Sequence, residues 1–205
     1  MAMSRIYDII KVPHASLKAK AHTVENVNEE IRDQLDTMLD TMYDASGIGL
    51  AANQVDILNR VLVMDVPKNS WKYAPEREGV LPVVSAYRSD EGDENGDALE
   101  EPISDPIAMV NPEVIWESEQ KSVFEEGCLS IPKQYAEIVR PAKVRVKYID
   151  FEGQETELEA EGLQSHCVQH EIDHLNGVLF IDYLSSLKRN MMVKRVQKMM
   201  KQQAL

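Results

Sequence analysis

His170-Glu171-Ile172-Asp173-His174 concentrates more potential chemistry than any other stretch of this chain. Two imidazoles four residues apart stand about one turn apart on one face of a helix and can grip a single metal ion, with Glu171 close to the same ion. The pattern needs a helix, and Gly162 and Gly177 bracket a segment of suitable length. Two imidazoles leave a catalytic metal short of the three protein ligands it normally has. The long metzincin pattern would place a histidine at 180, where the chain has Phe180. The thermolysin pattern needs a downstream glutamate, and none follows Glu171, leaving only Asp182. Cys167 shares the helical face but sits roughly 7–8 Å along the axis from the midpoint of the two histidines, at ~1.5 Å per residue. A thiolate with a ~2.3 Å bond does not easily span that. His166, a full turn before His170, faces the same objection. Cys128, in Glu126-Gly127-Cys128-Leu129-Ser130, is free to arrive from another segment beside a glycine that permits close approach. A Cys128, His170, His174 site with an open fourth position is expected.

Such a site lowers the pKa of a bound water to about 7 and polarises a carbonyl, while a nearby carboxylate takes the proton and returns it to a leaving amine. That chemistry is amide hydrolysis. An oxyanion on the carbonyl needs further donors, and the Gln54 carboxamide and the Leu129 backbone N–H are the candidates. Competing uses exist for several of these residues. Cys128 could be a nucleophile with His170 as its base, which leaves the His174 spacing unexplained. Gln54 could be an exposed loop amide. Cys167 reads as a small buried residue behind the ligand helix, and His166 as a surface group or a support for a ligand.

The elements that would position these groups are legible in part. Val27, Ile31, Leu35, Met38, Leu39 and Met42 form an amphipathic helical stripe, with Asn26 and Glu29 as its cap signal. Gly47 to Gln54 is a run of small residues that lets backbone approach closely, and Arg60–Val66 reads as a buried strand. Lys143–Tyr148 alternates strictly and turns through Glu152-Gly153 into Glu155–Glu161, a hairpin. Leu163–Leu175 is helical and stops at Asn176-Gly177. Phe180–Leu184 is a short apolar link. From Ser185 a last helix is expected, with Met192, Val196, Met199 and Met200 on one side. Residues 67–107 are rich in Pro and Gly, carry an acidic knot from Asp90 to Glu101, and read as an exposed insertion, in part disordered. Strands and helices do not alternate regularly, so the class is α+β with mostly antiparallel sheet.

The 205 residues suit one domain, and 43% hydrophobic with 28% charged residues excludes a disordered or collagen-like chain. The charges and Pro13 within Met1–Lys20 exclude a signal peptide there. No apolar run approaches the ~20 residues a bilayer span needs, so a cytoplasmic location is expected, with no membrane partner. Two cysteines are better read as ligand or core thiols than as a disulfide. The net charge of −13 argues against DNA binding by the body. Ser185 to Leu205 differs: six cations and no carboxylate make it +6, leaving −19 on the rest, so this tail is expected to have its own partner.

Gly47-Ile48-Gly49-Leu50-Ala51-Ala52-Asn53-Gln54, Glu126-Gly127-Cys128-Leu129-Ser130 and Gln169 to Gly177, in that order, resemble the three signature motifs of the peptide deformylases, which remove the formyl group from the initiator methionine of new chains. The resemblance implies that Cys128, His170 and His174 hold the metal and that Glu171 is the catalytic carboxylate. It implies that Gln54 and the Leu129 N–H bind the formyl oxygen, and that Ile48, Gly49 and Leu129 help form the substrate cleft. It further implies Fe2+ as the cellular metal, with Zn2+, Ni2+ or Co2+ able to take the same ligands. Substrates would be nascent N-formylmethionyl peptides, and the basic C-terminal helix would dock on the ribosome. The expected organisation is a catalytic domain over 1–184, including the 67–107 insertion that is longer than in typical bacterial members, followed by the basic helix 185–205. A zinc metallopeptidase and a non-catalytic ribosome-associated metal protein are the rival readings. The first lacks its usual downstream ligand, and the second would need a closed four-ligand site.

Overall fold

The computed structural model describes residues 6–67, 70–85 and 103–203. Among these residues three α-helices, α1 (Glu29–Asp44), α2 (Gly162–Leu175) and α3 (Ser186–Gln203), accompany nine strands. Strands β1 (Gly49–Ala51), β2 (Val61–Met64), β5 (Ile107–Glu117), β8 (Lys143–Ile149) and β9 (Glu155–Glu161) form an antiparallel sheet in the order β1-β2-β5-β8-β9. Strands β3 (Trp71–Tyr73), β4 (Val80–Ser85), β6 (Lys121–Gly127) and β7 (Tyr135–Pro141) form a second sheet in that order. Its β4–β6 pair is parallel and the rest antiparallel, so the α+β class with mostly antiparallel sheet holds.

Alternation decides what each strand buries. In β2 all four residues are buried; Leu62 and Met64 join a core with Leu163, Cys167, Val168, Ile172 and Leu175 of α2, while Val61 and Val63 join a second core with Ile31, Leu35, Met38 and Met42 of α1. Each fully buried aliphatic side chain of this kind contributes about 2 kcal/mol. Strand β8 behaves as its pattern predicts: Val144 and Val146 pair with Ala160 and Leu158 and face α2, whereas Lys143 and Lys147 stay exposed. Helix α2 ends before Asn176-Gly177 as expected, and Phe180–Tyr183 is a single 3-10 turn.

Three expectations are corrected. The cap of α1 is Asn28, whose side chain accepts the Ile31 N–H at 3.0 Å; Asn26 lies too early, and Val27 precedes the helix while still packing on its core. In α3 the inward residue is Val196, 1% exposed, flanked by Met192 and Val193, while Met200 at 41% lies outside the expected stripe. The third correction concerns 67–107. Residues 71–85 are no free insertion, because β4 pairs in parallel with β6, and Trp71 and Tyr73 pack against the core around α2. The acidic knot from Asp90 to Glu101 lies outside the described residues.

The aromatic pair explains how α2 begins. Tyr73 and Trp71 meet edge to face, and the Gly162 N–H donates to the Tyr73 hydroxyl at 3.0 Å. Gly162 has φ +56, and a Cβ there would lie 2.0 Å from the Trp71 ring. Gly162→Ala is expected to lose about 3 kcal/mol through combined backbone strain and overlap, read as a lowered thermal midpoint; a change within about 0.5 kcal/mol would contradict this packing.

Candidate active site

The chemically capable groups reach the site on three different parts of the chain. Helix α2 carries His170, Glu171 and His174; Cys128 follows directly on β6; Gln54 sits in the 3-10 turn Ala52–Val55 that follows β1. The ligating atoms of Cys128, His170 and His174 all lie within 4.8 Å of one another, with Cys128 Sγ 3.2 Å from His174 Nε2. Ligands at 2.0–2.3 Å around a tetrahedral ion stand roughly 3.3–3.7 Å apart, so one thiol and two imidazoles at this spacing could hold a divalent ion. The buried Glu171 Oε2 and His174 Nδ1 have no hydrogen-bond partner among the described residues. Polar atoms stranded in this way fit a site built for an ion and a polar substrate better than one built for packing.

Behind these groups lies a cluster that sequence reasoning missed. Glu126, 4% exposed, accepts from His170 Nδ1 at 3.0 Å, from His166 Nδ1 at 3.0 Å and from Arg140 Nε and Nη2 at 2.6 and 3.0 Å. By taking the Nδ1 proton of His170 it leaves Nε2 as that ring's lone-pair nitrogen. Arg140 continues to Asp173 at 2.7 Å and lies over the Tyr183 ring. Burial alone would raise the Glu126 carboxyl, but the His166, His170 and Arg140 contacts hold it well below the usual carboxylate range. Arg140 is correspondingly raised despite its burial. The signal available was a charged residue immediately before Gly127-Cys128, with no periodicity to say that it points inward. His166, whose Nε2 meets Ser122 Oγ at 3.0 Å, is a buried support and not a surface group.

Glu171 has the opposite environment. Burial, reinforced by the charge of Glu126 and opposed by His170, pushes its carboxyl up to about 7. Burial and the nearby His170 lower His174 well below the usual imidazole range, which keeps that ring neutral. Burial also raises Cys167, leaving it a neutral thiol against the Ile48 carbonyl, consistent with a core residue. Asp182 is committed elsewhere, to Lys18 and the Leu179 N–H.

The cleft in front of these groups has a volume of about 560 Å³ and includes Ile48, Gly49, Gln54, Cys128, Leu129 and Glu171 in its walls. Gln54 is 1% exposed, so the exposed-amide reading fails. Its Oε1 accepts the Ala51 N–H at 2.8 Å, which turns Nε2 toward Cys128 Sγ at 3.5 Å. Ile48 is 41% exposed at the cleft, whereas a Cβ on Gly49 would lie 2.5 Å from Glu171 Oε1; only a glycine lets β1 lie against that carboxylate. As for a Cys128 nucleophile with His170 as its base, Glu126 does orient that ring, but the reading leaves His174 Nε2, 3.2 Å from the same sulfur, without a role.

Glu126→Gln leaves the Arg140 charge buried against fewer partners and is expected to lower stability by about 3 kcal/mol near neutral pH. Because the folded Glu126 ionises more readily than the unfolded one, its contribution is complete above about pH 5 and is lost as pH falls below the unfolded value of about 4.3. The stability gap between the two proteins, read by denaturant titration, should therefore hold from about pH 7 to pH 5 and narrow steadily as pH falls from about 5 toward 3; a gap independent of pH would contradict the assignment.

Comparison with known proteins agrees with this geometry. The polypeptide deformylase family model matches residues 6–190. A peptide deformylase of Rhizobium meliloti strain 1021 is 45% identical over 193 residues, spanning 94% of this chain and 93% of that one. The crystal structure of peptide deformylase from Ehrlichia chaffeensis superposes with a TM-score of 0.79 at 34% identity, covering 98% of this chain and 99% of that chain. A second Ehrlichia structure, in complex with actinonin, gives 0.77 at 36% identity over 95% and 97%. Matched by the family model over residues 6–190 and sharing its fold with these enzymes over nearly its whole length, the chain belongs to the polypeptide deformylase family.

Proposed function

We propose that this chain removes the N-formyl group from the initiator methionine of nascent polypeptides, with Cys128, His170 and His174 holding one divalent metal ion. The observation that carries the reading is the convergence of those three ligating atoms within 4.8 Å beside a buried, unpartnered Glu171 oxygen. When bound, the ion supplies a Lewis acid that polarises the formyl carbonyl and acidifies water. Fe2+ is the ion expected in the cell; Zn2+, Ni2+ or Co2+ suit the same sulfur and imidazole donors, so the donor set does not choose among them.

The chain's own residues do the rest. Gln54 Nε2, oriented by the Ala51 N–H on its oxygen, donates to the formyl oxygen, and the Leu129 N–H is the second donor. Glu171 takes a proton from the attacking water and returns it to the methionine nitrogen as the C–N bond breaks, releasing formate and a free amine. A carboxyl near 7 can do both at neutral pH. Strand β1 is the edge of its sheet, so Ile48 and Gly49 can flank an extended peptide, with Leu129 on the other side. No helix among the described residues is long and apolar enough to cross a membrane, in keeping with a cytoplasmic site of action.

We divide the chain into a catalytic part, 1–184, and the basic helix of 185–205, which docks on ribosomal RNA. Val196 anchors α3 to the body, while Lys188, Lys194, Arg195 and Lys198 are exposed. The acidic remainder, at −19, would repel DNA.

Formyl-Met-Ala-Ser and its unformylated counterpart, assayed with anaerobic Fe2+ protein, test the activity. Formate release, blocked by actinonin, is expected; cleavage of internal peptide bonds would favour a metallopeptidase, and inertness with metal bound a non-catalytic protein. Glu171→Ala should keep its metal and lose roughly 10²–10⁴ in turnover. Charge reversal at Lys194, Arg195 and Lys198 should weaken co-sedimentation with ribosomes most at low salt and spare turnover of the short peptide; unchanged co-sedimentation would refute the tether.

A further inference from the structure

The segment Ile9–Pro13 touches two of the three motif loops at once. The Ile10 N–H donates to the Gln54 carbonyl at 2.8 Å, and the Val12 N–H donates to the Ser130 carbonyl at 3.0 Å. Successive side chains of an extended segment point to opposite sides. Lys11, between these two bonds, lines the cleft, and its Nζ donates to the Leu129 carbonyl at 2.8 Å. Two peptide planes meet at the Leu129 Cα. The first carries the Leu129 N–H and is held through its carbonyl, Cys128 O, by the Ile131 N–H at 2.9 Å. The second carries the Leu129 carbonyl, and Lys11 is the side chain that grips it.

We propose that Lys11 is a positioning residue, whose ammonium pins the Leu129 carbonyl and so keeps the adjoining Leu129 N–H directed at the substrate's carbonyl oxygen. A charge-assisted hydrogen bond is the stronger kind, and a neutral side chain at 11 would leave the Leu129 carbonyl without that grip while the Val12 N–H still holds the Ser130 carbonyl. Removing an oxyanion donor costs about 10²–10³ in rate; loosening one without removing it costs less, about tenfold. The kinetic part rests on the deformylase reading, whereas the restraint on the loop does not.

The test compares the full-length metal-loaded protein with Lys11→Met and Lys11→Arg. With formyl-Met-Ala-Ser, Lys11→Met should lower kcat about tenfold with KM within about twofold, and Lys11→Arg, whose guanidinium reaches the same carbonyl, should recover most of the rate. Amide hydrogen exchange read on peptides covering 128–132 should accelerate about tenfold in Lys11→Met, with α2 unchanged. Unchanged exchange, an effect confined to KM, or Lys11→Arg as slow as Lys11→Met would overturn the proposal. If Lys11→Met does not fold, Lys11→Gln takes its place with the same expectations. An inert wild type would count against the deformylase reading alone, because the exchange measurement still decides whether Lys11 restrains the loop.

Discussion

A carboxylate taken out of water costs several kcal/mol unless donors and an opposite charge replace its hydration, and Glu126 answers that requirement with four hydrogen bonds from Arg140, His166 and His170. Those partners stand on β7 and α2, so satisfying one side chain fixes the second sheet against the central helix. The same bonds set the tautomer of His170 and place the residue two before Cys128. Arg140 then extends the network to Asp173 on α2 and to Tyr183 in the 3-10 turn after it. The Cys128, His170 and His174 cluster is thus held from behind by charge pairing as well as by apolar packing, and disturbing that pairing disturbs stability and site geometry together.

The two buried carboxylates show how position sets role. Glu126 and Glu171 are both 4% exposed, yet Glu126 is saturated with donors and stays ionised, while Glu171 has an oxygen without a partner and holds its proton to about 7. The charge on Glu126 is part of why Glu171 is raised. An ionised carboxylate and a protonatable one therefore sit in one site, kept apart in character by what surrounds them. Around them the backbone is brought unusually close, with β1 lying on Glu171 through Gly49 and the segment 10–12 bonded to the Gln54 and Ser130 loops.

Legibility in the sequence followed the range of the interaction. His170 and His174 were readable because helical spacing is local, and Cys128 because eliminating the other ligands left one thiol. The β8–β9 hairpin and the stop of α2 were readable for the same local reason. Glu126 and Arg140 were not, and His166 only as one of two readings, since their pairing joins residues up to 44 apart and none breaks the pattern of its own element. Residues 71–85 were misjudged because Pro and Gly density and a neighbouring acidic run outweighed two aromatics whose partner, Gly162, lies about ninety positions away. Asn26 and Asn28 carry the same capping chemistry, and only backbone geometry separates them.

The central claim is that the mid-chain sulfur of Cys128 and two nitrogens of α2 share one ion. Cobalt-substituted protein tests it directly, because a thiolate bonded to Co2+ gives a sulfur-to-metal charge-transfer band in the near ultraviolet. One ion per chain is expected, with a band that survives Cys167→Ser and disappears in Cys128→Ser. A band that persists in Cys128→Ser, or that vanishes only with Cys167, would contradict the account.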